Sequence, residues 1–142
     1  MPNVEKTKGI VLVIEDNPDW MRRLVKVCEK AGYETKQAKN KDKAVALLKQ
    51  ASIFDAVIAD LRLKDWDPTN IDGLDSLSSI PENERPAAVV VTGVPDPVNV
   101  RKAFHDFKVI DVLFKLSFDE GTFAKRLELA VRETRKRRTS GA

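Results

Sequence analysis

Five short apolar stretches punctuate the chain, and the longer segments between them repeat apolar residues at helical spacing. Ile10-Val11-Leu12-Val13-Ile14 is unbroken and rich in β-branched residues, which predicts a strand buried on both faces. Asn17-Pro18 then offers an N-cap with proline at the first helical position. The helix it opens runs to about Ala31 and stops at Gly32, with Met21, Leu24, Val25, Val27 and Cys28 as its apolar stripe. Tyr33 to Gln37 reads as a second strand, and Asn40 caps a second helix carrying Ala44, Val45, Leu47 and Leu48. Phe54 to Ala59 is a third strand ending at Asp60, followed by a polar stretch from Lys64 to Thr69 and a helix over Ile71 to Ile80. Ala87 to Val91 is a fourth strand ending at Thr92-Gly93, and Asp96-Pro97 starts a helix running to about Phe107. Val109 to Phe114 is a fifth strand ending at Lys115, and Ser117 with Glu120 matches a capping box for the last helix.

Strands and helices alternate strictly, five of each. The expectation is an α/β fold: a doubly wound, five-stranded parallel sheet with helices on both faces, in three layers. Residues 10–131 form the domain, 1–9 a flexible N-terminus and 132–142 a basic C-terminal tail. In such a sheet ligands bind outside the carboxyl ends of the strands, where strand order reverses.

Composition narrows the chemistry. The chain has 142 residues, 42% hydrophobic and 33% charged, enough for a core without staples. A single cysteine, Cys28, excludes an internal disulfide framework, and a single histidine, His105, excludes a poly-histidine metal centre. No apolar run approaches a membrane span, and the first nine residues lack a signal-peptide core, so a cytoplasmic protein is expected. The net charge of +3 is uneven: Lys125 to Arg138 holds seven basic and two acidic residues, leaving a slightly acidic body. Nucleic-acid binding by the domain itself is therefore not expected. Neither a GxxxxGK[ST] loop nor a GxGxxG fingerprint is present.

The strand ends carry the candidate chemistry. Strand one ends in Glu15-Asp16, strand three in Asp60, strand four in Thr92 and strand five in Lys115. One aspartate after a strand is commonly a turn residue or a helix cap, but five such groups share one edge of the predicted sheet. Carboxylates gathered there repel one another and disfavour their own ionised forms, which a divalent cation would relieve. An all-oxygen set suits Mg²⁺ or Mn²⁺. Asp60, the central carboxylate, is the candidate nucleophile toward a phosphoryl group, with Glu15 and Asp16 as metal ligands. Lys115 and Thr92 would bind the transferred oxygens.

This arrangement resembles the receiver domain of two-component response regulators, over roughly Ile10 to Ala130. The matching pieces are Glu15-Asp16, Val57-Ile58-Ala59-Asp60-Leu61, Asp72-Gly73-Leu74, Val89-Val90-Val91-Thr92-Gly93 and Lys115. The resemblance implies a flavodoxin-like fold and a stand-alone phospho-accepting receiver, a signalling protein rather than an enzyme. Asp60 would take a phosphoryl group from a histidine kinase, and Thr92 and Lys115 would bind it. Glu15, Asp16, Asp60 and the backbone carbonyl of Arg62 would hold Mg²⁺. The switching surface would be the face of the fourth helix, fifth strand and fifth helix, here carrying Val112 and Phe114. A downstream protein would read it; a homodimer stays open.

Four positions depart from the family pattern. Glu15 stands where aspartate is commoner, and Lys64 where a proline follows the acceptor. Val112 replaces the aromatic that usually reorients with phosphorylation. Leu116 follows Lys115 where proline is usual, so Lys115 is expected to approach by a different route. The segment between Asp60 and Gly73 is also enlarged, with Trp66 in it as either a packing residue or a partner contact. These departures motivate a second reading, a receiver-like scaffold that binds without phosphate. A third, an aspartyl phosphohydrolase, ranks lower, because strand one ends Glu15-Asp16-Asn17 rather than Asp-x-Asp. Cys28 is expected in the core and His105 on the surface.

Overall fold

The computed structural model describes residues 7–61, 72–93 and 96–140. One sheet carries five parallel strands: β1 (Ile10–Ile14), β2 (Glu34–Ala38), β3 (Ala56–Ala59), β4 (Ala88–Thr92) and β5 (Asp111–Phe114). Their spatial order is β2-β1-β3-β4-β5, the doubly wound order, so strand order reverses at β1. The register aligns Val13 with Ile58, Ile58 with Val89 and Val90 with Val112. Helices α1 (Pro18–Lys30) and α5 (Glu120–Ser140) cover one face. On the other lie α2 (Lys41–Leu48), α3 (Asp72–Asp75) and α4 (Pro97–Asp106).

The unbroken apolar strands follow from this layering. Val11 and Val13 point into the α1/α5 core, whereas Leu12 and Ile14 point into the opposite one. All four are 0% exposed, so no polar position could be accommodated between them. Cys28 is buried in the α1/α5 core as expected, and burial pushes its thiol up to about 12. His105 is exposed.

Helix α1 begins as its sequence requires: Asn17 Oδ1 accepts from Trp20 N at 3.0 Å, with Pro18 at the first turn. It ends at Gly32, whose φ of +101° disfavours any side chain. Gly32 O accepts from Lys8 N at 2.9 Å, and Glu34 N donates to Gly9 O at 2.9 Å. Residues 7–9, expected to be flexible, are thus tied to the edge of the sheet.

Three further expectations are corrected. The third helix is one α turn, Asp72–Asp75, followed by a 3₁₀ segment, Ser76–Ser79. Serine side chains there compete for backbone and cap groups: Ser79 Oγ donates to Ser76 O and Ser78 Oγ to Asp75 Oδ1. The last helix is capped by Asp119, whose Oδ2 accepts from Thr122 N at 2.8 Å. Ser117 instead lies in a 3₁₀ turn, Lys115–Ser117, and Asp119 is the stronger cap at the right spacing.

The third correction concerns residues 132–140, expected as a tail. They continue α5, and several are anchored. Buried Thr134 accepts from Ala87 N at 2.8 Å and donates to Ala130 O at 2.9 Å. Arg137 donates to Arg85 O at 3.1 Å. Arg138 donates to Phe54 O and to Ala51 O, beside Asp55. The arginines satisfy carbonyls that the sheet and a short 3₁₀ turn leave open at the amino edge.

Thr134→Val should lower stability by about 1–3 kcal/mol, because the buried Ala87 N–H loses its acceptor. Urea unfolding checks this; an unchanged midpoint would show that the Thr134 contact with Ala87 contributes nothing to stability.

Candidate functional site

The reversal of strand order at β1 puts the carboxyl ends of β1 and β3 side by side. Ile14 pairs with Ala59, so Glu15 and Asp60 leave adjacent strands at the same level. Carboxylate oxygens of Glu15, Asp16 and Asp60 come within 4.8 Å of one another. Glu15 is 1% exposed and Asp60 6%. Two acidic groups so close and so dry need compensation.

Lys115 supplies part of it. Its Nζ lies 2.7 Å from Glu15 Oε1 and 2.9 Å from Asp60 Oδ2. The lysine reaches them from β5 through the 3₁₀ turn Lys115–Ser117, with no cis peptide among the described residues. Its stem passes Gly93, where an added Cβ would sit 3.5 Å from Lys115 Cδ. Thr92, 1% exposed, ends β4 just before that glycine. All five strand-end residues therefore stand at the carboxyl edge.

The electrostatics are unbalanced. Burial, and then the charge of Asp60, pushes the Glu15 carboxyl up to about 7, against the pull of Lys115 and of Asn17 N, which donates to Glu15 Oε2 at 3.0 Å. Burial alone would depress Lys115, yet Asp60 and Glu15 outweigh it and hold its ammonium above the ordinary lysine range. With every group ionised, three carboxylates against one ammonium leave a net charge of −2.

A divalent cation fits this deficit. The donors are all hard oxygens, and buried Glu15 Oε1 receives no well-directed hydrogen bond, the ammonium beside it serving only as an ion pair. A cavity of about 670 Å³ opens against Glu15 and Asp16, lined also by Met21, Gln37, Asn40 and Lys43. The residues that could hold a metal are thus Glu15, Asp16 and Asp60. Arg62, whose carbonyl is the further expected ligand, lies outside the described residues, as do Lys64 and Trp66.

Two aromatic residues of the site escaped the sequence reading. Trp20 places its ring 5.3 Å from Lys115 Nζ and meets Phe118 edge-on at 5.3 Å. The Arg23 guanidinium stacks over both, 4.7 and 4.8 Å from the ring centres. Trp20 therefore flanks the ammonium. Its signal was positional: it sits in the first turn of α1, three residues after the cap Asn17, where a side chain faces the carboxyl edge. On the expected switching surface, Val112 is buried at 8% among Val109 and Ala103, because its β5 position points into the α4 core. It does not present itself there. Phe114, at 40%, does, and Leu116, in the turn that follows β5, is fully exposed.

The sequence matches the family described as response regulator receiver domain over residues 11–128. The chain belongs to that family, the receivers of two-component systems. Solved structures share its fold. A response regulator receiver domain from Clostridium thermocellum is 20% identical, with a TM-score of 0.73 over 89% of this chain and 97% of that one. A sensor protein from Polaromonas sp. JS666 is 23% identical, with a TM-score of 0.74 over 89% and 98%. The non-phosphorylated HemR receiver domain from Leptospira biflexa is 25% identical, with a TM-score of 0.70 over 87% and 94%. A search of curated proteins returned no match. Among the described residues no helix is long and apolar enough to cross a membrane.

The raised Glu15 carboxyl has a signed consequence. Its proton is held more tightly in the folded than in the unfolded chain, so its contribution to stability is complete below about pH 4.5 and is lost as pH rises through about 7. Without divalent ions, the melting temperature should fall between pH 5 and 8, and Glu15→Gln should flatten that slope. Equal slopes in the two proteins would contradict the assignment.

Proposed function

We propose that this receiver is a phospho-accepting switch with Asp60 as acceptor. A carboxylate oxygen of Asp60 attacks the phosphorus of a phosphohistidine on a histidine kinase. The P–N bond breaks, the imidazole leaves as its neutral base after taking a proton, and an acyl phosphate remains on Asp60. The observation that carries this reading is the contact of one buried lysine with both Asp60 and Glu15 at a carboxyl edge that is short of positive charge.

Each residue has a task in this scheme. Asp60 is held in place by Lys115, so it is ready to act without reorganisation. Lys115 can follow the charge from the carboxylate to the incoming phosphoryl oxygens, and Thr92 offers a hydroxyl from the neighbouring strand end. Glu15, Asp16 and Asp60, with the Arg62 carbonyl, would hold Mg²⁺ or Mn²⁺, which when bound neutralises charge on the phosphoryl group. The unit that does this is residues 10–131 together with the rest of α5. A downstream protein would read the face formed by α4, β5 and α5.

One observation favours a second reading, a scaffold acting without phosphate. The switch position is a buried valine, and a fully exposed leucine follows the site lysine. Phosphate acceptance and its readout are therefore separable in this chain.

Incubation with a small phosphodonor and Mg²⁺ should add one labile phosphoryl group by intact mass, and Asp60→Asn should add none. Lys115→Ala should slow the gain by roughly 10²-fold. A folded parent that stays unmodified would sink the switch reading and favour the scaffold.

Metal binding can be followed separately. With Trp66→Phe as background, Trp20 emission should change saturably on Mg²⁺ addition at pH 8, as the charge beside Lys115 alters. The melting temperature should rise with it by mass action. A flat titration and an unmoved melting temperature would remove the metal site from the scheme.

A further inference from the structure

The face of α1 and α5 concentrates the positive charge of the molecule. Two cavities of about 540 Å³ each lie along the seam between these helices. Arg22, Arg23, Lys26, Lys30 and Glu120 wall the first. Lys8, Lys125, Arg132, Arg135 and Glu128 wall the second. Eight cations and two carboxylates line the pair, a formal +6. The whole chain carries only +3, so everything outside the seam comes to −3.

Internal pairing leaves part of this charge unanswered. Arg132 is held by Glu128 at 2.9 Å, Arg135 lies 3.6 Å from Asp55, and Arg22 pairs with Asp19. Arg23 is pinned over Trp20 and Phe118. No carboxylate of the described residues closes an ion pair with Lys26, Lys30 or Lys125. Beneath the cations the floor is apolar: Val27 and Val131 are 6% and 3% exposed, and Ala31 and Ala124 are half-buried between them.

We infer that this seam docks an acidic amphipathic helix of a partner protein. The first cavity is walled by α1, with Glu120 from the start of α5, and the second by α5, with Lys8, Ala31 and Tyr33 opposite; Arg23, Lys26 and Lys30 recur on α1, and Ala124, Glu128, Val131 and Arg135 on α5. The thirteen residues of α1 give its face a length of about 20 Å, some four turns of a docked helix. Carboxylates along one stripe of that helix would meet Lys26, Lys30 and Lys125, while small apolar residues beside them cover the Val27 and Val131 floor. A nucleic acid is the poorer fit. Glu120 and Glu128 stand among the cations and oppose a uniform run of phosphates, and the apolar floor has nothing to cover in a sugar-phosphate backbone. The docking depends on this surface and not on chemistry at Asp60.

The test uses the full chain and a fluorescent peptide of about 15 residues, built from Glu, Leu and Ala as an amphipathic helix. Anisotropy should show saturable binding, weakened but not abolished by added salt. The triple variant Lys26→Glu, Lys30→Glu, Lys125→Glu should weaken it at least about tenfold with an unchanged circular dichroism spectrum. Lys26→Gln, Lys30→Gln, Lys125→Gln serves if the reversal disturbs folding. Asp60→Asn should bind like the parent, so failure of the phosphate reading would leave this result intact. No saturable binding, equal binding by the variants, or tighter binding of a DNA duplex than of the peptide would each overturn the inference.

Discussion

Lys115 holds two carboxylates together at the end of a sheet that could not otherwise bring them there ionised. Its ammonium touches Glu15 from β1 and Asp60 from β3, strands that the reversal of strand order makes neighbours. A buried pair of this kind is poor evidence for stability, since desolvation consumes most of the Coulombic gain. Its consequence is chemical. One cation is too little for three carboxylates: burial, and then the charge of Asp60, raises the Glu15 carboxyl against the pull of that cation, and a buried oxygen is left without a directed hydrogen bond. An edge short of positive charge in this way is one that a further cation would balance.

The two edges of the sheet solve opposite problems. At the carboxyl edge, side chains from four strands converge and leave an open balance. At the amino edge, arginines late in α5 close it: Arg137 and Arg138 take up carbonyls of Arg85, Ala51 and Phe54, and Asp55 receives Ile10 N and faces two of the arginines. A charge run that reads as a solvated tail is thus partly consumed as structure. What remains of it, with the lysines of α1, lines the seam between the helices and makes the molecule basic on one side only.

The fold was largely legible because strand burial and helix capping are local properties. Ile10 to Ile14 announced a two-sided strand, and Asn17-Pro18 announced a helix start; both stand as read. The readings that changed depended on competition between neighbours. The cap read at Ser117 gave way to Asp119, whose carboxylate takes the N–H of Thr122 three residues on. The serines from Ser76 to Ser79 turned an expected helix into a tighter 3₁₀ segment by bonding their own backbone. Val112 fell at a strand position whose side chain points inward, which alternation on a two-sided strand does not reveal.

For the site, sequence alone determined which groups gather. Each of Glu15, Asp16, Asp60, Thr92 and Lys115 ends a strand of one parallel sheet, and a parallel sheet puts all such ends on one edge. Only the tertiary structure decided how they meet. The Lys115 contact with two carboxylates spans 100 residues to Glu15 and 55 to Asp60, so no local pattern encodes it. The ring of Trp20 beside the ammonium, the hold of late α5 on the amino edge and the sharing of positive charge between α1 and α5 arise likewise from packing between elements distant in the chain.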